Sequence, residues 1–245
     1  MEQEEKDQKP KVAEKGLIEE FVGDVISLER GLPATFLESL KNPGYVIDSY
    51  FEDKNRFVSP IKYTIFMIAV TSVIGNFVID YEALMNAGVS SQATSNVEMD
   101  PMFTAFMNGV AEVSTALSTR FNHLATILVL APLFAFASRL FFKKKRSTFK
   151  EHYIMTLYSL STVSFINLAF LPMMINQANI WIYSGITSLS MFVFALYTQI
   201  KYLKLKGFDE YAQSFLSIMI GFILYLVGIF ILQIGGAIIL VIVRS

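Results

Sequence analysis

The chain has 245 residues, of which 53% are hydrophobic and 17% charged, where an ordinary soluble domain carries about a quarter charged residues. A net charge of −1 leaves no broad basic field for nucleic acid, and the absence of cysteine excludes disulfides, thiol nucleophiles and cysteine-ligated zinc. The length allows one membrane domain with a short cytoplasmic lead, not a second large soluble domain.

Residues 1–16 are polar and mixed in charge. They hold too little apolar area to offset the entropy of ordering, which predicts a disordered tail. They also lack the apolar core and cleavage site of a signal peptide, so the first span is expected to act as an uncleaved insertion signal. From Leu17 the pattern changes. Leu17, Phe21, Val25 and Leu28 recur at helical spacing, with Glu19, Glu20, Asp24 and Glu29 on the other face. Gly31 and Pro33 interrupt this helix. A short second one carries Phe36, Leu37 and Leu40 and stops at Asn42-Pro43-Gly44; a third stretch runs from Tyr45 to Phe51. Residues 17–59 are therefore expected to form cytoplasmic or interfacial amphipathic helices, on the inner membrane surface or packed beneath a bundle. A small soluble helical subdomain is the alternative.

Five apolar runs follow, over about 60–79, 122–142, 153–175, 178–200 and 212–243. They predict an all-α, polytopic bundle of five transmembrane helices. Residues 80–121 form the long outer connection. Within it Asp100-Pro101 is a helix start, and Met102, Phe103, Phe106, Val110, Val113 and Leu117 make an apolar stripe. This predicts an outer amphipathic helix resting on the bundle; a sixth span is the competing reading. The last run exceeds the roughly 30 Å hydrocarbon core, so it should tilt or protrude inward.

Orientation follows from the basic residues. With the N-terminus inside and the C-terminus outside, 18 of the 20 Lys and Arg residues fall on the inner side, and only Arg120 and Arg244 fall outside. Lys54, Arg56, Lys143, Lys144, Lys145 and Arg146 are the expected interface anchors. They could also attract anionic headgroups.

Ser214, Gly221, Gly228 and Gly235 recur every seven residues, which puts small residues on one stripe of the last span and predicts close helix packing. The third span is the most polar, with Thr156, Ser159, Ser161, Thr162, Ser164 and Asn167. Asn167, Asn76 and Gln233 are the amides placed well inside spans. They are expected to bond between helices, with a hydrated pathway as the alternative. No Asp, Glu, Lys or Arg lies near the middle of a span, which weighs against a proton-coupled or charge-coupled machine.

Two histidines are present, His123 and His152, and the threading puts them on opposite faces, so they cannot share a metal. Neither a metal nor a cofactor is expected. Glu151 and His152 are the one pair that could do acid–base work, as weak catalytic candidates. Neighbouring helical residues point about 100° apart, so the competing reading is an interfacial anchor with Glu151 near a helix N-terminus. No Ser-His-Asp set, phosphate-cradling glycine loop or zinc-peptidase motif occurs.

The block Leu28-Glu29-Arg30-Gly31-Leu32, Thr35, Asn42-Pro43-Gly44, Tyr50 and Asp53-Lys54-Asn55-Arg56-Phe57, leading to Pro60 and Tyr63, resembles a bacterial membrane family of unassigned activity, domain of unknown function 3667. Spacing agrees with the family pattern, while Glu29, Asp53, Asn55 and Phe57 depart from it. Glu151-His152 is similar to a second family feature. Many members begin with a cysteine zinc ribbon; this chain lacks it, so no zinc role carries over. The resemblance implies a multi-pass protein of the bacterial inner membrane and no particular reaction. The five-span layout is also similar, in architecture alone, to Yip-type membrane proteins. From the residues themselves, the block reads as a structural device that fixes how the cytoplasmic helices meet the membrane.

The expected function is a non-enzymatic scaffold or accessory subunit. A small-solute or lipid transporter or channel is the alternative, and an inner-face lipid-modifying enzyme using Glu151 and His152 the second alternative. Expected partners are membrane lipid and a membrane protein or second copy of the chain, with no nucleic acid.

Overall fold

A computed structural model describes residues 31–53, 56–78, 100–119, 122–175 and 180–244. The expected tail at 1–16, the helix expected from Leu17, Lys54 and residues 79–99 of the outer connection lie outside the described residues. Among the described residues the structure is all helical, with no strand.

Helix α1 covers the described residues 31–41, and α2 is Pro43–Glu52. Asn42 separates them in a non-helical conformation, with φ −147° and ψ 72°, because a residue before proline is driven out of the helical region. Helix α3 is Pro60–Val78 and α4 is Pro101–Thr119. Asp100 starts α4: its Oδ1 accepts the Met102 N–H at 2.7 Å. Helix α5 joins Asn122–Ala125, a π-helical turn at Thr126–Leu130, and Ala131–Phe142. Helix α6 is Phe149–Asn167, drawn on as a 3-10 segment at Leu168–Ile175. Helices α7 and α8 are Ile180–Leu203 and Phe208–Arg244. Between them Lys204 takes a positive φ of 52° and the Leu205 N–H returns to the Ile200 carbonyl at 3.1 Å, a Schellman closure with the buried Leu205 as its apolar contact.

Three helical stretches are long and apolar enough to cross a membrane: Phe149–Met173, Trp181–Leu203 and Phe208–Val243. Pro60–Gly75 and Thr126–Phe142 are shorter apolar helices. Helix α6 is the centre of the bundle, since 61% of its apolar stretch is buried against 11% for α7 and 6% for α8. It is packed by α3, α5, α7 and α2. Its polar side chains divide between its own backbone and its neighbours: Thr156, Ser161 and Ser164 donate to carbonyls one turn back, while Ser161, Thr162 and Asn167 meet Thr64, Tyr63 and Ser190.

Helices α1 and α2 dock on this centre rather than forming a separate unit. Phe36 packs edge-on against Phe165, with ring centroids 4.9 Å apart. Leu32, Val46 and Ile47 are buried in one cluster with Tyr63, Ile154, Tyr158 and Tyr202. A Cβ on Gly44 would lie 2.9 Å from the Lys201 carbonyl oxygen of α7, so only glycine allows that approach. Tyr197 closes the same corner by donating its hydroxyl to the Lys41 carbonyl at 2.6 Å.

The non-helical link into α3 sits deep. Tyr158, nine residues along α6 and so about 13 Å from its start, donates its hydroxyl to the Val58 carbonyl at 2.7 Å. The Val58 N–H donates to Thr35 Oγ1 at 3.1 Å, and Thr35 donates back to the Gly31 carbonyl at 2.7 Å. Tyr63 meets the Thr162 hydroxyl at 3.1 Å, and Ser161 donates to Thr64 at 2.7 Å. An irregular backbone is tolerable in an apolar bundle only with its polar groups paired in this way.

The stripe on α8 is used at three of its four expected positions. Ser214 donates to the Gln199 side-chain oxygen of α7 at 2.7 Å. A Cβ on Gly221 would meet the Phe134 ring at 3.0 Å, and one on Gly228 would meet Leu133 at 3.1 Å, both on α5. Gly235 instead faces open space; the tight approach falls one residue later, where a Cβ on Gly236 would stand 2.8 Å from Val113 of α4. A repeat of seven drifts around a straight helix of 3.6 residues per turn, and by its fourth step α8 has changed partner. Gly109 against Ala237 and Ser114 against Gln233 show that α4 runs antiparallel along the C-terminal part of α8. The 37 residues of α8 measure about 56 Å, and α4 covers one side of its C-terminal part.

Two outcomes test this packing. Thr35→Val keeps the volume but strips the Val58 N–H of its partner; unfolding in micelles is expected to show a loss of about 1–3 kcal/mol, where no loss would mean the link is paired otherwise. Gly44→Ala is expected to destabilise by about 1–3 kcal/mol, while Gly235→Ala stays neutral or gains up to about 1 kcal/mol from helix propensity, measured side by side in the same assay.

Candidate functional site

Two polar centres stand out, one around Arg146 and one around the π-helical turn of α5. The first is built on the turn between α5 and α6. Thr148 caps α6 in extended conformation and forms a capping box with Glu151. The Glu151 N–H donates to Thr148 Oγ1 at 3.3 Å, and the Thr148 N–H donates to Glu151 Oε2 at 3.1 Å. The other Glu151 oxygen accepts from Arg146 at 3.4 Å. Arg146 reaches Asp48 of α2 at 2.6 Å and lies over the Tyr202 ring of α7, 4.5 Å from its centroid. Burial works against the guanidinium charge, but Tyr202, Asp48 and Glu151 more than offset it and raise its pKa above the ordinary value. One side chain thus ties α2, α6 and α7 together, a use that suits the planar fork of arginine.

His152 is fully buried. Its Nε2 lies 3.0 Å from the Arg146 carbonyl, which can only accept, so Nε2 carries the proton. Its Nδ1 lies 2.9 Å from the Ser138 hydroxyl of α5 and is left to accept from it. Both ring nitrogens are committed to helix joints, and the Glu151 carboxylate points into the cap. The two residues are adjacent in sequence and make no dyad.

The remaining expected residues divide as follows. Lys145 pairs with Glu210 of α8 at 2.8 Å, while Lys143 and Lys144 are exposed. Arg56 lies over the Tyr45 ring at 4.9 Å. Asn167 accepts a hydrogen bond from Ser190 of α7, and Gln233 donates to Ser114 of α4 at 3.2 Å. The side chains of Asn76 and His123 lie outside the described residues. Among the described residues no cluster of three His, Asp or Glu could hold a metal ion.

The second centre arises from Pro132. In the π-helical turn the Ala131 N–H goes to the Thr126 carbonyl, and Pro132, next in line for the Ile127 carbonyl, has no N–H. Tyr153 of α6 supplies the missing donor, with its hydroxyl 2.9 Å from that carbonyl. Beside the turn lies a cavity of about 280 Å³ between α4, α5 and α8, lined by Ser114, Thr126, Tyr225 and Gln233 among apolar neighbours. Sequence reasoning chose Gln233 and missed the rest. A proline in mid-run was the available signal, because it obliges the helix to find another donor or bulge.

No protein-family description, curated protein or solved structure matches the chain.

One substitution separates a joint from a catalyst. His152→Ala is expected to cost about 2–4 kcal/mol, from the cavity and the two polar groups left bare, and any loss of in-cell function should track loss of folded protein. A folded, abundant but inactive variant would point to chemistry at His152.

Proposed function

We propose that this chain is a multi-pass protein of the bacterial inner membrane, acting as a non-enzymatic scaffold or accessory subunit. In this reading α3, α5, α6, α7 and α8 cross the membrane, with the N-terminus inside and the C-terminus outside. Helix α4 rests on the outer part of α8, and α1 enters the bundle from the inner side without crossing it. The positions of the basic residues and the five apolar helices support that threading. The block at residues 28–63 that resembles domain of unknown function 3667 is then an anchoring device that seats the cytoplasmic segment on the bundle.

One observation carries the functional reading. The groups best suited to acid–base chemistry, Glu151 and His152, are consumed in a helix cap and a helix cross-link. A second reading, a small-solute or lipid transporter, draws support from the polar cavity beside Thr126.

The test is native mass spectrometry of the protein extracted in native lipid nanodiscs. A stoichiometric protein partner is the expected result. A lone chain or homo-oligomer that carries a defined lipid or small molecule would overturn the scaffold reading in favour of transport.

A further inference from the structure

Most polar side chains inside this bundle have partners. Among the described residues the fully buried Ser39, Thr198 and Tyr202 hydroxyls lack a hydrogen-bond partner; the Thr126 and Tyr225 hydroxyls also make none, and they differ in that both residues line one cavity, of about 280 Å³. Gln233 uses its amide N–H toward Ser114, and its carbonyl oxygen makes no further bond among the described residues. Ser114 completes the polar lining, while Leu130 and Ile229 are apolar walls. Among the described residues no acidic or basic side chain lines the space. The cavity is larger than a roughly 150 Å³ pocket that takes benzene and close to the lower end of small-molecule sites. Thr126 is buried, and Tyr225 and Gln233 are half-buried; polar groups that face a cavity away from bulk water are costly unless something hydrogen-bonds to them.

We infer that this cavity is a binding site for a small uncharged molecule bearing hydroxyl or amide groups. Thr126 and Tyr225 supply O–H donors that can also accept. The Gln233 carbonyl accepts from a ligand O–H or N–H, and Leu130 and Ile229 cover the ligand's carbon skeleton. A charged ligand is disfavoured, since it would give up its water with no counter-charge among the described residues of the wall. The π-helical turn is part of the site, for it sets Thr126 at the cavity wall, and such turns recur where helices are adapted to function. This site is independent of the scaffold reading, because a partner-binding subunit and a solute-binding protein could equally contain it.

The cysteine-free sequence makes the site directly testable. Thr126→Cys, a near-isosteric change, is placed in lipid nanodiscs and treated with methyl methanethiosulfonate, a small neutral thiol reagent, or with its cationic trimethylammonium-ethyl counterpart. Ser161→Cys, at a fully buried position on α6, is the control. Labelling of the Thr126→Cys variant is expected to be at least about tenfold faster with the neutral reagent than with the cationic one, and the Ser161→Cys control should not react. Glycerol, erythritol, urea and acetamide are then added as probes. At least one is expected to slow labelling severalfold, and Gln233→Leu in the same background should abolish that protection while labelling persists. If Thr126→Cys does not fold, Ser114→Cys replaces it. Equal rates with both reagents would mean an open aqueous crevice, and no protection by any probe would mean a solvent pocket; either result overturns the proposal.

Discussion

A peptide group inside an apolar bundle must be paired, and at two buried irregularities among the described residues a side chain of α6 does the pairing. The first is the link into α3, where Val58 offers an N–H and a carbonyl beside the middle of α6. Thr35 and Tyr158 take them up. The second is the π-helical turn before Pro132, where Tyr153 takes the Ile127 carbonyl. An unmade backbone hydrogen bond in such surroundings costs as much as a large packing defect. Two hydroxyls of α6, those of Tyr158 and Tyr153, are therefore the other half of two backbone irregularities. Helix α6 can supply them because protein surrounds it.

The inner end of the bundle follows the same logic with charges. An exposed ion pair is worth little. Arg146 gains from being half-buried among two carboxylates and an aromatic face at once, while its own carbonyl holds His152. The basic turn whose charge sets the proposed orientation is thus also the joint that holds α2, α6 and α7. The proposed orientation asks only for positive charge, which Lys143 and Lys144 carry. Joining demands a fork, and the arginine is the residue used for it.

Much of the architecture was legible in the sequence. The five apolar runs correspond to helices α3, α5, α6, α7 and α8, and Asp100-Pro101 starts α4 where an acid before proline should. The boundaries shifted for local reasons: α6 begins at Phe149 rather than near residue 153 because Thr148 and Glu151 form a capping box. The polar content of the third run and the Gly31–Tyr63 block were both visible, but not that one binds the other. Thr35 and Tyr158 stand 123 positions apart, and nothing local in a single sequence links such residues. Glu151-His152 looked like possible chemistry because adjacency is visible in sequence, whereas the diverging partners of the two side chains are not. The glycine repeat was read one position off at its end, since the change of neighbour from α5 to α4 is a tertiary event. Pro132 was the overlooked signal: it marks the turn that forms one wall of the polar cavity.

The docking of the entry segment depends on the link at residue 58 being a paired, buried part of the bundle. Amide hydrogen exchange at Val58, measured in lipid nanodiscs, tests this most directly. Protection comparable to that of amides in the middle of α6 is the expected result. Exchange at the rate of an exposed loop, with α6 itself still protected, would contradict the docking of the entry segment on α6.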